Sequence, residues 1–208
     1  MKAKTNIQEE FGRAVVDSVV KFARQDIPQV AALEAESFSH VKNQAVRGAL
    51  ARTMYGTRWL YKLGLALVVS GDESIAHVRV QVIDYGSICE TLLKEMVGQG
   101  VKGQHLSGVV WKTADLIGKG DTLPWATKFD RVLKFRKFEW LVAVAKEERM
   151  VSAELGARLD SLRKYRNTVH LTELASSGIG YVRSLAKDAL ETTLMTIRST
   201  RRWAAVHP

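Results

Sequence analysis

The chain has 208 residues, 46% hydrophobic and 25% charged, with 31 lysines and arginines against 22 acids, a formal net charge of +9. These proportions exclude a disordered or collagen-like chain, and they allow one domain with a sizeable core, with or without a helical extension. The single cysteine, Cys89, excludes an intrachain disulfide, and the most apolar stretch, Trp59 to Val69, contains Lys62 and is too short to cross a bilayer as a helix.

The charge excess favours an acidic partner, most simply nucleic acid. Met1 to Glu10 lead into mixed polar sequence rather than an apolar run, so a cytoplasmic location without a membrane partner is expected. Only 3 prolines interrupt the chain, which suits a helical assignment throughout. Phe11, Val15, Val19 and Phe22 form a helical stripe from Glu9 to Arg24, and Pro28 marks the break that follows. A second helix is expected over Val30 to Arg52, with His40 an ordinary polar residue within it. Tyr55, Trp59, Tyr61 and Leu63 to Val69 continue as helix, and Ser70 and Gly71 mark a turn.

Asp72 or Ser74 caps the next helix, Ile75 to Val97, in which Val78, Val82, Tyr85, Cys89, Leu92 and Met96 follow the spacing of a buried face. Asp84 and Glu90 lie on its remaining surface, and Asp84 reads either as a partner for a basic residue of the helix Ser152 to Leu171 or as an ordinary surface-paired acid. Gly98 and Gly100 are expected to end this helix. Beyond them the chain is glycine-rich, with a short helix expected over Leu106 to Ile117. The string GKGDT lacks the pattern of a phosphate loop, and His105 has no second ligand at a metal-site interval. No metal and no cofactor are therefore expected.

Lys128, Arg131, Lys134, Arg136 and Lys137 alternate with Phe129, Leu133, Phe135 and Phe138. This run reads either as an edge that holds nucleic-acid phosphates or as a solvated helix start with its aromatics turned inward. Phe135 and Trp140 are the candidates for base stacking there. Phe138, Leu141, Val142 and Ala145 give a buried helix face, and the short polar joint Lys146 to Met150 makes this helix and the next antiparallel neighbours.

The next helix, Ser152 to Leu171, carries the densest chemistry. Ser152 stands at the N-cap, and Leu155, Leu159, Leu162 and Val169 share one stripe. Arg163, Arg166 or Asn167, and His170 follow on one side of the same helix. Val182, Leu185, Ala189 and Met195 mark a closing helix, which ends in Arg198, Arg201 and Arg202 beside Trp203. Arg201 and Arg202 are candidates for contact with RNA.

The string LRKYRNTVHL resembles the signature of HEPN-domain proteins, small helical domains found in prokaryotic ribonucleases, toxins and relatives without known activity. VIDYGSICETLLKEMV is similar to that family's first long bundle helix, and FEWLVAVAKEERMVSAELGARLDSLRKYRN to its paired helices before the motif. The resemblance implies an all-α fold, an HEPN-like four-helix bundle over residues 72–203, with residues 1–71 as an N-terminal helical extension. It further implies metal-independent cleavage of RNA by 2′-hydroxyl attack, a two-fold homodimer that pairs two motifs, and a toxin or defence setting with an antitoxin or other protein partner. Catalysis would fall to Arg166, His170, Asn167 and Arg163. Arg166 has the polar neighbour Asn167 but only three residues before His170, whereas Arg163 has the six-residue spacing but is followed by Lys164. Either arginine can fill the role. The alternative is a non-catalytic module of the same kind that binds protein or nucleic acid.

Overall fold

The computed structural model describes residues 11–103, 105–106, 133, 136–167 and 181–207, and the regular structure among them is helical, without a strand. α1 spans Arg13–Arg24, and α2 spans Val30–Ala32 and runs into a π-helical turn at Leu33–Ser37. α3 spans Gln44–Ala66 and α4 Gly71–Lys102. α5 spans Phe138–Glu147, α6 Ala153–Asn167 and α7 Arg183–Val206. The chain is an all-α bundle. The short helix expected over Leu106 to Ile117 lies outside the described residues.

α4 is the axis of the bundle. α3, α5, α6 and α7 all pack against it. Val78, Val82, Tyr85, Cys89, Leu92 and Met96 are buried, as their spacing predicts, and Gln81, Ile88, Leu93 and Val97 are buried with them. A helix covered from several sides loses its polar face. One contiguous core runs from Leu33 to Trp203, so it crosses the division expected between residues 71 and 72, where α4 begins.

α7 contributes a polar stripe to this core. Thr192, Thr193, Thr196 and Thr200 are buried, and each hydroxyl donates at 2.8 Å to the carbonyl four residues earlier. Their donors are therefore satisfied inside their own helix, and burial leaves none of them stranded. Cys89 lies against Thr193 and Thr196, fully enclosed, and burial pushes its thiol up to about 11. It is the small core residue that its helix position predicts.

Several expectations change, among them the cap of α4, whose N-cap is Ser70, so that Asp72 and Ser74 lie inside the helix. The helix expected over Val30 to Arg52 is two elements, because the Asn43 side chain accepts from the N–H groups of Ala45 and Val46 and starts α3 anew. Gly98 and Gly100 do not end α4, which continues to Lys102. A Cβ at Gly98 would lie 3.3 Å from Leu133, and one at Gly100 would lie 2.6 Å from Leu106 and 2.9 Å from Trp203. These glycines admit neighbouring side chains and do not terminate the helix. Phe11, which lies before α1, and Val15 and Phe22 within it remain 59%, 54% and 39% exposed. The helix turns Ala23 into the core and leaves Val16, Val19 and Val20 only partly covered.

α5 and α6 are antiparallel, as their short joint predicts. Glu139 meets Arg163 at one end, while Lys146 packs over Gly156 and meets Asp160 towards the other. Arg149 closes the joint in the left-handed region, at φ 55°, where glycine is the usual occupant.

Candidate functional site

The Leu155 N–H donates to Ser152 Oγ at 3.1 Å, the N-cap predicted from sequence. Leu155, Leu159 and Leu162 are buried against the bundle and set the rotation of α6. That rotation sends Arg163 towards α5 and Arg166 towards α4. The Arg163 guanidinium lies 3.4 Å from Glu139 and 3.7 Å from Asp160. Arg166 Nη2 lies 2.7 Å from Glu90 Oε2. The stem of Arg166 crosses α4 at Gly86, where a Cβ would lie only 3.1 Å from its Cβ and Cγ. A side chain at residue 86 would push the arginine off the helix.

Both arginines are thus half-enclosed cations braced by carboxylates. The Arg163 side chain is 17% exposed and that of Arg166 33%. Asn167 is exposed at the end of α6. Arg163, Arg166 and Asn167 therefore share the last turns of one helix, whereas His170 and Val169 lie outside the described residues.

The acid of α4 that meets this helix is Glu90, not Asp84. Asp84 faces α3, where the Thr57 hydroxyl lies 2.9 Å from its Oδ2, and burial pushes its carboxyl up while that hydroxyl acts against the shift. A signal for Glu90 was present in the chain: Gly86 stands four residues before it, one helical turn away, and opens the slot that the arginine fills.

Of the basic run, Lys128, Arg131 and Lys134 lie outside the described residues, as do Phe129 and Phe135. Arg136 stands over the Trp140 ring, 5.3 Å from its centroid, and Lys137 is exposed just before α5. Trp140 itself is 3% exposed, so it is a core residue and offers no face to a base. Arg201 donates to the carbonyl of Glu36, which ties α7 to the turn after α2. Arg202 is exposed, with Trp203 buried beside it.

A groove of about 420 Å³ runs between α6 and α7 beside the motif, lined among others by Ser161, Leu162, Tyr165 and Asp188. Its cation, Arg158, is held by Glu154 and Glu191, so its wall is close to electrically balanced. His40 and His77 serve the fold. The Thr200 hydroxyl spends its proton on the Thr196 carbonyl and accepts from His40 Nε2 at 3.0 Å, and His77 Nε2 donates to the Leu60 carbonyl at 2.6 Å. Among the described residues, no three His, Cys, Asp or Glu side chains gather as a metal site, and no helix is long and apolar enough to cross a membrane. The chain matches no protein-family model, no curated protein and no solved structure with which it was compared.

Proposed function

We propose that the protein is a metal-independent endoribonuclease of HEPN type, working as a homodimer in a toxin or defence role. The observation that carries this reading is the placement of Arg166 at the end of α6, braced by Glu90 and open to solvent over a third of its side chain. A guanidinium has five donors, and one carboxylate leaves several of them for a phosphate. Arg166 is the better phosphate ligand of the two, because Arg163 is half as exposed and meets two acids.

In this reaction the 2′-oxygen attacks the adjacent phosphorus, an O2′–P bond forms, and the P–O5′ bond breaks. One His170 accepts the 2′-hydroxyl proton, and the partner subunit's His170 donates a proton to the leaving 5′-oxygen. Arg166 neutralises the phosphoryl oxygens as charge builds on them, and Asn167 orients the phosphate or the imidazole. The products are a 2′,3′-cyclic phosphate and a 5′-hydroxyl. DNA, without the attacking hydroxyl, is not cut. Lys137 and Arg136, with the rest of the basic run, supply contacts to the RNA backbone.

The second reading is a non-catalytic helical module. It is favoured by the same 2.7 Å pair, which fastens α6 to α4 whether or not a substrate ever arrives.

Labelled RNA incubated with chelator separates the two. Wild type is expected to cleave it, and Arg166→Ala and His170→Ala to lose about 10²-fold or more in rate. Circular dichroism and dimer mass should stay unchanged in both variants. Equal trace cleavage by all three proteins would mark contamination and end the nuclease reading.

A further inference from the structure

A second groove, of about 620 Å³, lies between the α5–α6 joint and the C-terminal turns of α7. It sits at the opposite end of α6 from Arg166. Its floor is apolar, formed in part by Met195 and Trp203, and Val206 stands at its edge 71% exposed. Arg149, Arg198 and Arg202 stand around it, all exposed. No ion pair among the described residues involves any of these three arginines. One acid, Glu148, shares the wall, and it has another interaction of its own.

The composition of this wall is informative. Arginine, methionine and tryptophan are the residues enriched where proteins meet, and lysine, absent here, is depleted there. An apolar floor inside a cationic rim asks for a ligand with the opposite arrangement: apolar side chains that enter the groove, flanked by carboxylates that reach the guanidinium groups. A phosphate backbone would satisfy the rim but leave the floor unfilled.

Arg149 adds a separate observation. It occupies a left-handed backbone position, φ 55°, at a helix end where glycine costs least. An arginine at such a position bears backbone strain that glycine would not, which a use of its side chain would account for.

We infer that this groove is a docking site for an acidic, apolar-anchored peptide segment of another protein. It is separate from the catalytic motif, because none of its residues belongs to Arg163–His170, and of the candidate RNA contacts it shares Arg202 alone.

Phage-displayed random 12-residue peptides, selected on the immobilised full chain, test the inference. Enriched peptides are expected to combine Asp or Glu with large apolar residues. A synthetic copy of the strongest is expected to lose at least tenfold in affinity for Arg149→Gly and for Arg198→Glu. Arg149→Gly relieves the backbone at that position, so its melting temperature should stay level or rise, and lost binding cannot be assigned to unfolding. No enrichment over the bare support, peptides without acids, or equal affinity for the variants would overturn the inference. A 12-nucleotide RNA that binds wild type and weakens in the same two variants would overturn it in favour of nucleic acid.

Discussion

Arg166 and Glu90 form a pair whose two halves are unequally buried, with 33% and 18% of their side chains exposed. Removing the arginine strands the more enclosed charge, so Arg166→Ala is expected to cost about 1–3 kcal/mol and Glu90→Ala less. A double-mutant cycle in urea should give a coupling of about 1 kcal/mol, and strictly additive losses would show that the pair does not hold α6 to α4. His40 makes a second residue-scale case. Its Nε2–H is spent on Thr200, its Nδ1 is buried without a partner, and burial and then Arg201 push its pKa down to about 4. Between about 4 and the ordinary 6.5 the unfolded chain takes up a proton that the folded chain refuses. Stability is therefore expected to fall as pH drops through that window, and His40→Gln should flatten the dependence in urea titrations between pH 7.5 and 4. An unchanged slope in the variant would assign the pH dependence to other groups.

At the scale of the helix, two glycines make opposite predictions. Gly56 in α3 has nothing within 4 Å of a Cβ, whereas Gly100 in α4 has Leu106 and Trp203 inside 3 Å. Alanine raises helix propensity at both by about 1 kcal/mol. At Gly56 nothing opposes that gain, so Gly56→Ala should raise the melting temperature. At Gly100 the overpacking costs about 1–3 kcal/mol and wins, so Gly100→Ala should lower it. Equal shifts in both would mean that the α4–α7 seam gives way more easily than its contacts imply. The same contrast explains why Gly100 reads as a terminator in sequence yet sits inside a continuous helix: its missing side chain is the space for a ring from α7.

Across the whole molecule, stability should be uneven. α4 is covered from several sides, whereas α1 buries only Ala23. Amide exchange is therefore expected to be fastest in α1 and slowest in the middle of α4, and α1 should open without the bundle. Protection of α1 equal to that of α4 would indicate that its exposed Val15 and Phe22, with Phe11 just before it, are covered in solution.

The periodic placement of leucines, the Ser152 cap and the short joint before it were enough to specify α6, its buried stripe and its antiparallel neighbour. The buried face of α4 was equally legible from its spacing. All of this is local, because a helix repeats every few residues and the chain states which residues share a side. Which surface meets that side is not local. Glu90 rather than Asp84 faces Arg166, Trp140 turns inward, and α1 leaves its aromatic stripe open. Each of these outcomes follows from how helices distant in sequence pack together, and spacing within one helix carries no record of what lies across from it.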